Sequence, residues 1–278
     1  MSDATPVADP ASLLDLSEAE LAARRDRITE FLADVVEDAG ATGAVIGLSG
    51  GVDSTTTAHL TVEALGADRV RALVMPGTVS SDQHMSDAER VARSLDVASD
   101  VVEIEPIVEQ VVGALPETAG DRVAVGNTRA RVRAVLNYLV ANHEDRVVVG
   151  TGNRSEALVG YFTKYGDGAV DCHPIGNLYK RQVRAMARHL GVAEDLVTKT
   201  PSAELWADQT DEDELGLDYD TLDAILALHV DGPAGVAATA DAVGVDRATV
   251  ERVDDMVAQS AHKRSRPPAP DPPGGDPT

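Results

Sequence analysis

The stretch Gly47-Leu48-Ser49-Gly50-Gly51-Val52-Asp53-Ser54 decides how the rest of this chain is read. It closes a short apolar run, Ala44–Leu48, and leads into a helical pattern over Ser54–Leu65. A glycine-rich turn at a helix N-terminus is an anion site, because the first helical N–H groups lack partners and the helix dipole favours negative charge there. Gly50 and Gly51 let the backbone approach a phosphate, and Ser49 and Ser54 add hydroxyl donors. Loops that serve transfer of a terminal phosphoryl group end in Gly-Lys-Ser/Thr. This loop has no lysine and carries Asp53 instead. A carboxylate beside phosphate is repulsive unless a hard cation lies between them. The loop is therefore expected to hold a Mg²⁺-pyrophosphate group, with Asp53 as a metal ligand.

Around this loop, short β-branched runs alternate with helical patterns. Ser17-x-x-Glu20 is a capping box opening a helix to about Glu37. Strands are expected at Ala44–Leu48, Val70–Met75, Asp100–Ile104 and Arg146–Gly150. Helices are expected at Ser54–Leu65, Asp82–Leu95, from Ile107, and at Asn127–Ala141. Such alternation predicts an α/β fold: a parallel sheet built from right-handed crossovers and flanked by helices on both faces. Ligands of such sheets bind at the carboxyl ends of the strands. Two strand ends run into glycine-rich turns there, Ser49–Gly51 and Gly150–Gly152.

After Gly152 the pattern changes. Residues 160–178, GYFTKYGDGAVDCHPIGNL, form a glycine-punctuated loop too long for a plain connector, which argues for function. Tyr179–Leu190 reads as a helix, 201–218 as an acidic loop, and Tyr219–His229, Val236–Val243 and Asp246–His262 as C-terminal helices. Residues 1–16 and the proline-rich tail 264–278 are expected to be disordered, leaving one domain over 17–263.

The 278 residues carry a net charge of −23, which repels nucleic acid and anionic membrane surfaces. No apolar run reaches the ~18 residues of a membrane span, and the first residues lack the basic and apolar segments of an export signal. The expectation is a cytoplasmic protein with no membrane or nucleic-acid partner. One cysteine, Cys172, excludes a disulfide framework and a multi-cysteine zinc site. Only four lysines stand against twenty arginines: Lys164, Lys180, Lys199 and Lys263. An acidic, lysine-poor surface resembles proteins of salt-accumulating organisms, and each remaining lysine invites a specific reason.

The string Ser-Gly-Gly-x-Asp-Ser resembles the pyrophosphate loop of the ATP pyrophosphatases, which split ATP between its α and β phosphates. Further segments resemble the NAD synthetase branch of that group: Asn127–Arg133, Gly150–Glu156, the FTKYGDGAVD segment, Pro201–Trp206, DEDELGLDYD and Glu251–Arg264. The resemblance covers residues from about 20 to 268. It implies a Rossmann-like fold of the adenine nucleotide α-hydrolase type. It also implies ATP-dependent amidation of deamido-NAD by ammonia, giving NAD, AMP and pyrophosphate through an adenylated carboxylate. The short ammonia-using form is the one resembled, since Cys172 lies inside the substrate loop and cannot serve a glutaminase.

By the same resemblance, residues Gly47 to Ser54 (including Leu48 and Val52), Thr151, Lys180 and Ser202 bind ATP. Asp53 and Glu156 hold Mg²⁺. Arg131, Lys164, Asp171, His262 and Lys263 contact deamido-NAD. Asp53, Lys180 and Asp171 are the catalytic candidates, with Asp171 helping to deprotonate ammonia. A homodimer is implied. The segment MPGTVSSDQHMSDA departs from many bacterial relatives, which carry an arginine and a Tyr-Gly pair after this strand. That leaves the adenine site open, with Val45–Gly47 and Val74–Met75 as flanks. Three rival readings stand beside this one: a non-catalytic nucleotide sensor, which Asp53, Glu156 and Lys180 together argue against, and two others. A tRNA-modifying pyrophosphatase would need a basic surface or paired cysteines. A helix-turn-helix at residues 235–253 would place Asp246, Glu251, Asp254 and Asp255 against DNA.

Overall fold

The computed structural model describes residues 10–77, 82–202, 206 and 210–270. The outer parts of both expected disordered termini lie outside these residues. So do the middle of MPGTVSSDQHMSDA and most of the segment from Ala203 to Gln209.

The first half runs α1 (Glu18–Asp38), β1 (Gly43–Gly47), α2 (Val52–Leu65), β2 (Val70–Val74), α3 (Asp82–Ser94), β3 (Ala98–Val101), α4 (Glu105–Gly113), α5 (Arg122–Glu144) and β4 (Arg146–Val149). The second half runs α6 (Arg154–Val159), α7 (Lys180–His189), α8 (Glu194–Val197), α9 (Asp211–Leu215), α10 (Tyr219–Ile225), α11 (Val236–Val243) and α12 (Arg247–Arg264). All strand pairs are parallel, in the order β3-β2-β1-β4. The chain moves outward from β1 to β3 and then crosses to the other side of β1 for β4. The switch point of the sheet is therefore the crevice between the carboxyl ends of β1 and β4, where such folds bind ligands. The two glycine-rich turns lie at those ends.

β1 is buried on both faces, as a central parallel strand requires. On one face its core joins α1, α2, α3 and α7. On the other it joins α4 and α5. A separate cluster holds α10 to α12 together, with Tyr219, Leu222 and Val253 at its centre. Thr56 and Thr61 sit buried in α2 because each hydroxyl donates to the carbonyl one turn back, at 2.7 Å.

Three expectations shift. Residues 10–14 form a 3₁₀ turn rather than extending the disordered start. Leu14 packs into the C-terminal cluster and its carbonyl accepts from Gln182 Nε2. β3 lies at Ala98–Val101 instead of Asp100–Ile104, because it is an exposed edge strand and the apolar Ile104 instead supports the start of α4. α5 begins at Arg122 rather than Asn127, capped by Asp121, whose Oδ1 accepts from Val123 N and Ala124 N at 3.0 Å. Three short helices, α6, α8 and α9, fall where no helix was expected.

The 160–178 segment folds back over the sheet. Residue 172 bridges Val149 in parallel, with Asp171 N donating to Val148 O and Gly150 N donating to Cys172 O, both at 2.9 Å. Gly150 is required at this crossing, since a Cβ there would stand 2.6 Å from Val170 and 2.8 Å from His173 Nδ1. The Cys172 thiol is buried under the crossing, and burial, helped by Asp171, pushes its pKa up to about 12. It is an inert core thiol.

Candidate active site

The phosphate loop is pre-shaped. Gly50 takes a φ of +76°, and Gly51 caps α2 without any side-chain hydrogen bond to the helix's first N–H groups. The Ser49 and Ser54 hydroxyls lie 3.0 Å apart, and Ser54 Oγ donates to Gly51 O. The turn is therefore held by its own hydroxyls while the start of α2 stays open to an anion.

A cavity of about 420 Å³ opens over the carboxyl edge of the sheet. Of residues 47 to 54, all except Gly50 line it, and so do Thr151, Glu156, Lys180, Ser202 and Lys263. At its charged end Lys180 Nζ sits 2.5 Å from Asp53 Oδ2 and 3.1 Å from Glu156 Oε1. The Lys180 side chain is only 2% exposed, so these contacts decide its ionisation. Burial pulls its pKa down, but Asp53 and Glu156 outweigh burial and hold the ammonium charged, above its usual range. Glu156 is pushed up by burial against the pull of Lys180, with Asp53 and Asp211 adding repulsion.

Three residues that the sequence reading passed over support this cluster. Asn153 is fully buried, caps α6 by accepting from Glu156 N at 3.0 Å, and donates Nδ2 to Asp53 Oδ1 at 2.8 Å. It thus ties the β1 loop to the β4 loop. Its signal was present in the sequence: Asn-x-x-Glu directly after a strand is a cap pattern. Asp211, at the start of α9, lines the cavity and shares the Tyr219 hydroxyl with Glu156, at 2.9 and 3.2 Å. Burial raises the Asp211 pKa, opposed by Lys180. Asp223 accepts from Ser155 Oγ at 2.5 Å and Arg181 N at 2.9 Å, while Lys180 N donates to Ser155 Oγ at 2.9 Å. Asp223 and Ser155 therefore fix the α7 N-terminus that carries Lys180.

Three carboxylates around one ammonium leave the site over-supplied with negative charge. Among the described residues no three His, Cys, Asp or Glu are arranged to hold a metal alone. Two convergent carboxylates suit a hard cation that takes its remaining ligands from phosphate and water, as Mg²⁺ does.

The residues expected at the dinucleotide form a second, linked group. Arg131 Nη2 donates to Lys164 O at 3.2 Å, and Lys164 Nζ to His262 O at 2.6 Å. Lys263 Nζ donates to Gly160 O and Phe162 O at 2.7 and 2.9 Å. These bonds join α5, the 160–178 segment and α12. Arg131 lines a shallow groove with Tyr138, Leu139 and Tyr165, separated from the main cavity by Ala134 and Ala169, which line both. Asp171 is not gathered with Asp53 and Lys180. Its carboxylate accepts from Tyr138 OH at 3.0 Å and Val148 N at 2.7 Å and does not line the main cavity. α11 and α12 pack on each other and on α6 and α10. They buttress the Lys263 side of the cavity, which accounts for the helix-turn-helix pattern without DNA.

This sheet, with its switch-point loop and acidic cluster, defines a PP-loop ATP pyrophosphatase of Rossmann-like fold. The chain belongs to the NAD synthase family, whose profile matches residues 25–267. An NH₃-dependent NAD⁺ synthetase of Halobacterium salinarum is 64% identical, covering 94% of this chain and 98% of the relative. Among solved structures, an NMN synthetase of Francisella tularensis superposes with a TM-score of 0.79 at 34% identity, covering 92% and 99% of the two chains. An NH₃-dependent NAD synthetase of Campylobacter jejuni superposes with a TM-score of 0.75 at 28% identity, covering 92% and 100%.

Proposed function

We propose that this protein amidates deamido-NAD with ammonia, consuming ATP and releasing NAD, AMP and pyrophosphate. The observation that carries the reading is the Asp53–Lys180–Glu156 cluster at the mouth of a lysine-free phosphate loop. A pyridine carboxylate oxygen attacks the α-phosphorus, and the bond from that phosphorus to the α,β-bridging oxygen breaks. Pyrophosphate leaves. Ammonia then attacks the carbonyl carbon of the acyl adenylate, AMP departs with the former carboxylate oxygen, and the nitrogen gives up a proton to water.

Residues 47–54 hold the departing pyrophosphate by backbone N–H groups, with Ser49 and Ser54 as donors. Mg²⁺, held by Asp53 and Glu156, would neutralise that charge. Lys180, kept charged beside Asp53 and Glu156, would place its ammonium to stabilise the pentacoordinate α-phosphorus. Thr151 and Ser202 add hydroxyls on the cavity wall. Arg131, Lys164, Asp171, His262 and Lys263 receive the dinucleotide on the α5 side, where positioning supplies rate by holding carboxylate and phosphorus together. Asp171 would draw the proton of the attacking ammonia off through that water.

The homodimer belongs to the same proposal. Val135 and Leu139 of α5 are 66% and 62% exposed beside Arg131 and Tyr165. Large apolar side chains on one helix face favour burial by a second copy. Among the described residues no helix is long and apolar enough to cross a membrane. With the acidic surface, this fits a cytoplasmic enzyme.

The test is incubation with ATP, Mg²⁺, ammonium and deamido-NAD, following AMP and NAD. Equal amounts of both are expected. ADP in place of AMP, or no AMP at any salt concentration, overturns the reading.

A further inference from the structure

The cavity has two unlike ends. The phosphate end is charged and internally paired. The other end is walled by Leu73, Val74, Met75, Ala134, Val149 and Val170, with few polar groups among them. Two of those polar groups come from α5, one turn apart. Asn137 Oδ1 is buried and accepts no hydrogen bond among the described residues. It lies beside Gly47: a Cβ there would stand 3.5 Å from Asn137 Nδ2, 3.8 Å from Oδ1 and 3.4 Å from Met75 Cε. Arg133 reaches the same place and donates Nε to Met75 O at 3.0 Å.

The other cations lining the cavity are committed. Lys180 is held by Asp53 and Glu156, Lys199 by Asp87 at 2.6 Å, and Lys263 by two carbonyls. Arg133 spends only Nε on the protein among the described residues. Burial, helped by the nearby Arg129, lowers its pKa to about 10, so it stays charged at neutral pH.

A buried acceptor without a partner is costly, so Asn137 Oδ1 calls for a donor from a ligand. A pyridine carboxylate cannot supply one, and against Oδ1 it would be repelled. We infer that Asn137, flanked by Arg133, reads the adenine of ATP. Oδ1 accepts from the 6-amino group, while Asn137 Nδ2 and the Arg133 amino groups donate to ring nitrogens. An asparagine amide is a known two-point match for adenine. Apolar walls with a few directed polar groups are what a flat base requires. The slot begins at Gly47, the first residue of the phosphate loop, so base and phosphates belong to one nucleotide. The inference rests on the ATP-using reading above. It fills the place left by the departure after Met75.

The test compares ATP with purine riboside triphosphate, which lacks the 6-amino group, on the wild-type enzyme and on Asn137→Leu. In the wild type kcat/KM is expected to fall about tenfold on removing the amino group. In Asn137→Leu the KM for ATP rises about tenfold and the preference disappears, while the KM values for deamido-NAD and ammonium stay unchanged. A wild type indifferent to the amino group overturns the inference without any variant. So does a rise in the KM for ammonium or deamido-NAD instead of ATP. If the wild type forms no AMP, the functional reading fails. Equilibrium binding of a non-hydrolysable ATP analogue and its purine riboside counterpart still decides the base assignment.

Discussion

The two ends of the active-site region are built by opposite strategies. The phosphate end sets a contiguous backbone turn beside side chains from several segments that are locked to each other: Asn153 to Asp53, Lys180 to Asp53 and Glu156, Tyr219 to Glu156 and Asp211. The substrate end is assembled from α5, the 160–178 segment and α12, and its long cations bond to backbone carbonyls rather than to carboxylates. Carboxylates poised for a metal must be held against mutual repulsion before the cation arrives. A groove for a neutral or anionic ring needs shape and a few free donors. The difference teaches that charge is pre-organised at the end proposed to release pyrophosphate, and shape at the end proposed to receive the acid.

The largest effect that would break this contrast is expected at Asp53. Asp53→Asn should lower kcat/KM about 10³-fold while leaving the melting temperature unchanged or higher, since it removes one of three crowded carboxylates. Steady-state kinetics and a thermal melt check both. Lys180→Met should cost similar activity but also about 3–5 kcal/mol of stability, because it strands buried carboxylates. Denaturant unfolding reads that loss. If both variants keep normal stability, the carboxylates are not held by Lys180.

Asn153→Ala comes next. It frees Asp53 from the β4 loop and removes the α6 cap, so a loss of about 1–2 kcal/mol and a raised Mg²⁺ requirement are expected. Magnesium titration of the rate distinguishes this from simple instability. On the substrate side, Asp171→Asn should lower kcat about tenfold at fixed ATP KM if Asp171 acts on ammonia. An unchanged kcat would leave it with its visible task of fixing Tyr138 and β4. The smallest effect is expected at Leu139→Glu, which should shift the protein towards monomer in sedimentation while sparing the isolated fold, because Leu139 is exposed.

How far the sequence carried follows the same division. The loop from Gly47 to Ser54 is contiguous, and its chemistry is readable from eight residues. The sheet followed from the β-branched runs, with β3 displaced towards the N-terminus because its exposed edge carries no apolar alternation. Asn153 is readable as a cap, but its bond to Asp53 spans two loops and carries no local signal. Asp211, Tyr219 and Asp223 could not be placed, since their partners lie in other segments and no local period marks them. Resemblance groups Asp171 with Asp53 and Lys180 as a catalytic candidate. The parallel crossing of the 160–178 segment beside β4 turns it outward to Tyr138. Lys199, the lysine outside the recognised segments, pairs with the buried Asp87 on the cavity wall and ties α3 to the segment after α8.

The central claim is that the substrate carboxylate attacks the α-phosphorus. Deamido-NAD carrying ¹⁸O in its pyridine carboxylate tests it directly. One labelled oxygen should appear in AMP and none in pyrophosphate, with each NAD formed matched by one AMP. Unlabelled AMP, or label recovered in orthophosphate, would contradict the account.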